Sequence, residues 1–505
     1  MSRLRIAAVV ALLTILIARV ASAAPSEYFA IRVVDEQTGR GVPLVELKTT
    51  NDVRHVTDSN GLIAFLEPGL MDAEVFFQVA SHGYEFPKDG FGYRGVRLKP
   101  TAGGEATVKI KRVNIAERVY RVTGGGIYRD TVLLGRKPPT SQPVINGLVL
   151  GQDSVQTCAY RGKMWWFWGD TNQPAYPLGN FHMSGATSSL KPDGNAGIDL
   201  AYFVNDKGFS RDMFPAKEEG PIWADAFMAM ADESGRERMI CRFIRVRGLE
   251  ARLEQGLGMF NDEKGILERW HKLDVNEPVV PKGHPLRVKT AAADYFYFPD
   301  PWPNVRVKAD LASVRDASSY ETFTCLKPGA KYDKDKPQLD RDAGGKLVYA
   351  WKRNTGVVGM AEQRDLEKSG AIKNGEGWWQ CRDVDSGKRV DMHGGSVYWN
   401  DFRKKYVAIF VQWMGTSLVG EIWYSEADKP QGPWPAARKI VTHDNYSFYN
   451  PKHHPFLDQD GGRVIYFEGT YTALFTDNKC PTPRYDYNQI MYRLDLSDPR
   501  LKLKK

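Results

Sequence analysis

Cysteine is scarce: five occur in 505 residues, at positions 158, 241, 325, 381 and 480, far apart and odd in number. That excludes a dense disulfide framework, and the lack of CxxC spacing excludes a thiolate metal site. One or two disulfides remain open outside the cytoplasm, with at least one thiol unpaired. Histidine numbers only nine, and no HExxH or paired spacing supports a catalytic zinc. There is no Walker A loop, dinucleotide fingerprint or GxSxG elbow. Thr123-Gly-Gly-Gly-Ile is glycine-rich, yet no helix pattern follows it to cradle a phosphate. No cofactor is therefore required, and the metal set is read as empty, although a structural calcium held by loop oxygens is compatible with the sequence. Lys and Arg form no block outside the short C-terminal tail, so the footprint of a nucleic-acid partner is missing. A basic groove for an acidic glycan stays open. After residue 18 no apolar run is long enough for a transmembrane segment.

What is present begins with the N-terminus. Arg3 and Arg5 precede an apolar core from Ile6 to Ala18, broken only by Thr14, and Ala21-Ser22-Ala23 supplies small residues for cleavage. This reads as a secretory signal peptide over residues 1–23 and predicts a secreted or periplasmic protein. Cleavage after Ala23 removes Arg3, Arg5 and Arg19 and no acid, taking the formal net charge from +8 to +5. Aromatics at 12%, with 47 Gly and 29 Pro, point to many short strands joined by tight turns. Helical periodicity is rare, and the clearest stretch is Gln363 to Ile372.

Two textures follow along the chain. Residues 26–115 alternate short strands (Tyr28 to Asp35, Leu44 to Lys48, Leu62 to Phe65) with turns at Gln37-Thr-Gly-Arg-Gly and Asp58-Ser-Asn-Gly. That spacing predicts a β-sandwich accessory domain, and its own strands and turns suggest it can be separated. Residues 118–505 carry longer aromatic strands. Lys346, Lys404 and Arg463 each open an apolar strand, 58 and 59 residues apart, and Lys163 opens a similar one 183 residues before Lys346. A period near 60 predicts the blades of a propeller, and an all-β chain overall. Residues 247–290 and 327–345 fit the period poorly and read as loops or insertions.

A propeller delivers its chemistry from separate strands to one mouth, so the candidates are acids and histidines at strand edges. WWFWGDTN (165–172) places Asp170 directly after four aromatics, and Asp153 lies 17 residues earlier, at a distance that suits opposite strands of a hairpin. Two carboxylates whose environments separate their pKa values can serve as acid and base, or acid and nucleophile. The competing reading makes Asp170 a turn cap. Asp225 again follows a tryptophan, Trp223. Glu421 and Glu468 interrupt apolar strands and need either a partner or a function. His393, His453 and His454 are the notable imidazoles; adjacent His453 and His454 point apart on a strand and do not grip one metal. Arg306 and Arg484 could hold a substrate carboxylate or pair with internal acids.

Two resemblances follow from these motifs. "VVDEQTGRGVPLVEL", "TDSNGLIAF" and "SHGYEF" are similar to the carboxypeptidase-regulatory-like sandwich of secreted bacterial enzymes. FWGDT, with "EADKPQGPWPAARKIV" at 426–441, resembles the five-bladed β-propeller glycoside hydrolases, the family 43-type group, and within them the bacterial endo-D-arabinanases. The resemblance implies a glycosidase acting on a polysaccharide or oligosaccharide through carboxylates at the channel mouth. It carries over to Asp170 and Asp153 and leaves the third acid open among Asp225, Glu421 and Glu468. Trp168 and Trp223 would stack on sugar rings, with His393, Arg306, Tyr449, His454 and Arg484 as further substrate contacts. A non-catalytic glycan- or protein-binding propeller, and a polysaccharide lyase using His393 or Tyr449 as base, are the rival readings.

Overall fold

The computed structural model describes residues 27–503 apart from residues 181 and 250; the expected signal peptide at 1–23 lies outside them. No helix among the described residues is long and apolar enough to cross a membrane. The chain first builds two four-stranded sheets. One orders Leu62–Phe65, Phe29–Asp35, Glu105–Arg112 and Tyr84–Glu85; the other orders Arg54–Val56, Glu46–Thr49, Val75–Ala80 and Gly95–Leu98. Ile31, Val33, Phe65 and Val108 from the first sheet meet Val45, Leu47, Phe77 and Val79 in one core. Leu62–Phe65 is buried at every position rather than alternating, because the helix Arg129–Leu133 covers its second face.

Five sheets follow, antiparallel throughout except that Arg382–Asp383 joins the fourth parallel to Ala436–Val441. The first three take their opening strands from Gln156–Tyr160, Ile222–Ala231 and Leu286–Lys289, and the last two from Met392–Asn400 and Ser447–His453. Glu117–Arg121, which leads out of the sandwich, pairs antiparallel with Asn488–Asp495 and becomes the outer strand of the fifth sheet, joining the two ends of the ring. Apolar packing shows that the sheets form a ring. Trp166 and Trp168 of the first sheet pack with Tyr466 and Met491 of the fifth. Phe167 packs with Phe227 and Phe243 of the second. Met228 and Ile240 join Phe296 and Val305, Tyr297 and Trp302 join Phe410 and Trp423, and Ile409 and Tyr424 join Phe467 and Tyr492. Each sheet is thus wedged between its two neighbours, the arrangement of a β-propeller. Fully burying one such aromatic stabilises by about 1.5–3 kcal/mol.

Several expectations need correction. The second strands of the five blades begin at Lys163, Glu237, Asp294, Lys405 and Val464. Lys346 is not among them: the strand after it, Ala350–Arg353, is the outermost of the third blade. The third blade is long because the segment at 327–345 and the helix Met360–Lys368, begun by the Glu362 carboxylate accepting from the Gly359 N–H, are inserted before the fourth. Residues 247–290 are loop only in part: Ala251–Asn261 and Ile266–Leu273 complete the second blade, and the stretch 274–285 connects it to the third. All five cysteines are unpaired, and four of them are buried.

The sandwich is also not free of the propeller. Arg118, 1% exposed, donates to the carbonyls of Pro43 and His82 and to Ser81 Oγ. Asp58 accepts from the backbone N–H and hydroxyl of Thr131, and the Tyr485 hydroxyl donates to the Thr57 carbonyl at 2.5 Å. Leu44 and Val56 belong to the same apolar cluster as Ile409 and Tyr471. A buried guanidinium that spends its donors on another module's backbone couples the two folding units.

Candidate active site

In every blade the start of the first strand and the end of the second lie side by side. The registers Gln156↔Phe167, Ile222↔Arg245, Leu286↔Tyr297, Met392↔Gln412 and Ser447↔Thr472 place these ends together. Hydrogen bonds between blades gather them around one mouth. Trp223 Nε1 donates to Asp170 Oδ1 at 3.2 Å, the Gly283 N–H to Asp225 Oδ2 at 3.0 Å, and Tyr449 Oη to Asp153 Oδ2 at 2.8 Å. Asn450 Nδ2 donates to Ser154 Oγ at 2.8 Å.

The WWFWGDTN segment shows why two acids meet there. Alternation on Lys163–Trp168 sends Trp166 and Trp168 into one inter-blade core and Phe167 into the other. The chain then leaves the blade and joins a small three-stranded sheet of Gly151–Gln152, Thr171–Gln173 and Tyr176–Asn180. Asp153 and Asp170 stand at the break between the two sheets. The Asp153 N–H donates to the Asp170 carbonyl at 3.3 Å, and the Gly169 N–H to the Asp153 carbonyl at 3.0 Å. Gly169 is required by space: a Cβ there would sit 2.4 Å from Asp153 Oδ1. Thr171, fully buried with its hydroxyl 3.0 Å from Ser184 Oγ, fixes the turn below.

The two carboxyls live in different surroundings. Burial, and then the charge of Asp153, pushes Asp170 up to about 7, opposed only by the Trp223 indole. Burial also raises Asp153, but hydrogen bonds from Tyr449, Tyr487 and Ser154 pull it back toward the ionised form. The donors to Asp153 favour the charge there, and that charge in turn favours the proton on Asp170. Around Asp153 the backbone is strained: Ser154, Asn450 and Tyr487 have φ of 56°, 49° and 58°. Each costs about 1–3 kcal/mol, and such residues persist where the surroundings impose them.

Trp223 and Tyr449 reach this site, and His393 lies at the same mouth, exposed and stacked on Trp413 at 4.9 Å, within the field of Asp300. The other candidates are placed elsewhere. Trp168 is 0% exposed, stacked on Trp166 and Tyr202, so no sugar reaches its face. Asp225 is held by both ends of the Arg242 guanidinium, at 2.7 and 2.9 Å, and ties the second blade to the third. Glu421 is buried against Lys439 Nζ at 3.0 Å. Glu468 and His454 are both fully buried and 2.8 Å apart; burial pushes Glu468 up to about 8 and His454 well below its ordinary value. His453 pairs with Asp458 at 2.8 Å, also buried. Arg306 is spent on Glu321 at 2.7 Å and lies over the Tyr295 and Trp351 rings in the third blade. Arg484 faces Asp130 at 3.5 Å, on the sandwich side. Tyr487, Ser154, Asn450 and Phe475 went unnoticed in the sequence. Phe475 is 47% exposed and meets the Tyr449 ring edge-on at 5.8 Å. Among the described residues no group of three or more His, Cys, Asp or Glu side chains is arranged to hold a metal ion.

No protein-family profile and no curated protein sequence matches the chain. Among solved structures it is similar to an exo-β-1,3-galactanase from Phanerochaete chrysosporium determined with β-1,3-galactotriose, at 10% identity and a TM-score of 0.37, over 77% of this chain and 66% of that one. It is also similar to a GH43_1 enzyme from Xanthomonas citri complexed with xylotriose, at 9% identity and 0.33, covering 69% and 87%. An exo-1,5-α-L-arabinanase from a bovine ruminal metagenomic library gives 10% and 0.33, covering 68% and 93%. Likeness this distant leaves the chemistry of the site to its own geometry.

Proposed function

We propose that the propeller is a glycoside hydrolase, with Asp170 as general acid and Asp153 as the ionised partner. The observation that carries this is the pair itself: two carboxyls at one mouth, one raised to about 7 by burial and charge, the other given phenol donors that favour its charged form against burial. Protonated Asp170 can give its proton to the glycosidic oxygen as the C–O bond breaks. Asp153 can attack the anomeric carbon or take a proton from an attacking water; its distance from Asp170 in the substrate complex decides which. Trp223 holds Asp170, and Tyr449 and Tyr487 orient Asp153. Phe475 offers an exposed ring for a sugar face.

The lyase reading is less well supported. Of its two candidate bases, Tyr449 is raised well above its ordinary pKa and donates to Asp153, whereas His393, its pKa lowered by burial, stays available at the mouth. The mouth cations Arg242 and Lys282 are each paired, with Asp225 and Asp300, and are poorly placed to neutralise a uronate. Incubation with neutral and acidic polysaccharides separates the readings. New reducing ends without ultraviolet-absorbing products support hydrolysis; unsaturated products would establish a lyase, and binding without turnover a lectin-like propeller.

A further inference from the structure

In every blade the turn joining the first and second strands lies at the end away from the mouth. The registers Tyr160↔Lys163, Ala231↔Glu237, Lys289↔Asp294, Asn400↔Lys405 and His453↔Phe467 define these ends. Among the described residues, only the fourth sets large apolar side chains in solvent: Trp399 is 45% and Phe402 42% exposed. The other four blades close the same hairpin without such rings, so the fold does not require them. Trp399 lies six residues beyond His393 on the strand Met392–Asn400, which puts it about 20 Å from the mouth. The turn is held firmly. Asn400, buried, donates through Nδ2 to the Gly462 carbonyl at 2.7 Å and accepts from the Arg403 N–H at 2.8 Å. Trp399 Nε1 donates to Asp401 Oδ1 at 3.1 Å, and the Tyr406 ring, 5.3 Å away at 71°, is its one ring contact among the described residues. An indole this exposed, with a single ring neighbour, keeps one face open.

Charge and area select the occupant. Asp401 pairs with Lys404 at 3.3 Å, Arg403 with Glu426 at 2.6 Å, and Lys405 with Asp428. The charges on the turn are balanced, so the surface attracts neither a uronate nor an anionic membrane. At about 150–250 Å² for a whole aromatic side chain, the two rings leave roughly 130–220 Å² in solvent. A stable protein interface takes about 800 Å² from each partner, so the patch is too small to hold a second copy or another protein. One or two sugar units match it. The C–H side of a sugar lies against an aromatic face, and exposed Asp401 and Lys404 offer an acceptor and a donor to its hydroxyls. We infer that the fourth blade carries a second saccharide site on the face opposite the mouth, built on Trp399 and Phe402 and binding a neutral glycan. A polymer gripped there is kept at raised local concentration near the mouth without occupying it. The inference stands whether or not the mouth hydrolyses the glycan.

Oxidation of Trp399 by N-bromosuccinimide, mapped by peptide mass spectrometry, reads this surface separately from the mouth. The full chain is oxidised in xylotriose, galactotriose or arabinotriose, with galacturonic acid trimer for comparison. At least one neutral trisaccharide is expected to slow oxidation of Trp399 about fivefold, saturating near the millimolar range of a weak site. Phe402→Ala, which removes an exposed ring, should weaken that protection at least about threefold with the thermal midpoint unchanged. Lys404→Ala, which removes the exposed donor, should weaken it as well. Asp170→Asn should retain it, so failure at the mouth and failure here are read separately. The inference is overturned if no neutral trisaccharide protects Trp399, if protection is unchanged in both turn variants, or if the acidic trimer protects better. It is equally overturned if Trp399 becomes protected as protein concentration rises without sugar, which marks a contact between copies.

Discussion

Replacing Asp170 with asparagine should make the protein more stable and less active. The rise of Asp170 from 3.8 to about 7 means that ionising it in the fold is unfavourable. A rise of that size corresponds to about 4 kcal/mol. The side chain is partly open to solvent, which reduces the usable figure to about 1–2 kcal/mol. The sign follows from linkage. A carboxyl whose folded pKa lies above its unfolded value leaves the fold most stable when protonated, and stability is lost as pH rises from about 4 through about 7. The asparagine amide cannot ionise, so the variant should match the parent near pH 4 and exceed it by about 1–2 kcal/mol at pH 8. Thermal unfolding of both proteins at pH 4, 6 and 8 reads this as a difference in midpoint of roughly 1–4 °C that grows with pH. A cap that needed its charge would behave oppositely. If Asp170→Asn lowers the midpoint at pH 8, or if the difference is flat with pH, Asp170 is an ionised structural residue and the assignment of the acid fails.

The pH–rate profile should be bell-shaped, with an alkaline limb near 7 where Asp170 loses its proton and an acid limb where Asp153 gains one; a profile flat between pH 6 and 8 would contradict it. Tyr487→Phe and Tyr449→Phe each remove a donor to the Asp153 carboxylate, which should raise its pKa, move the acid limb upward and cut kcat roughly 10- to 100-fold. An unmoved acid limb would show that the phenols do not hold Asp153 ionised. Gly169→Ala puts a methyl 2.4 Å from Asp153 Oδ1 and should cost most of the activity in a folded protein; parent-like turnover would mean Asp153 is free to move. Removing the sandwich by starting the chain near residue 116 should yield insoluble protein, because Arg118 and Tyr485 lose their partners and the Ile409–Tyr471 cluster loses Leu44 and Val56. A soluble, active truncation would show the junction to be dispensable.

The β class and the sandwich strands were legible because strand alternation and Asn-Gly or Thr-Gly turns are local signals. The approach of Asp153 to Asp170 was legible for the same reason: a hairpin brings residues 17 apart together. What depends on distant partners was not. Trp168 and Trp223 look alike in sequence, both beside a carboxylate, yet the first fills the gap between the first and fifth blades and the second faces the mouth. Glu468 looked functional because it interrupts an apolar strand; its partner, His454, sits on the neighbouring chain segment, 2.8 Å away. Tyr487 was hidden because its role rests on a left-handed backbone that no residue type announces. The near-60 period misplaced the third blade, since insertions around 327–345 and Met360–Lys368 change its length without changing its strands.

The most direct test measures reducing ends released from neutral polysaccharides by the parent protein, Asp170→Asn and Asp153→Asn, each shown folded by circular dichroism. An amide neither exchanges a proton at neutral pH nor attacks an anomeric carbon. The account predicts release by the parent and a loss of at least about a thousandfold in both variants, the upper order of what one acid or base group contributes together with its partner. Turnover near the parent's level in either folded variant would contradict it.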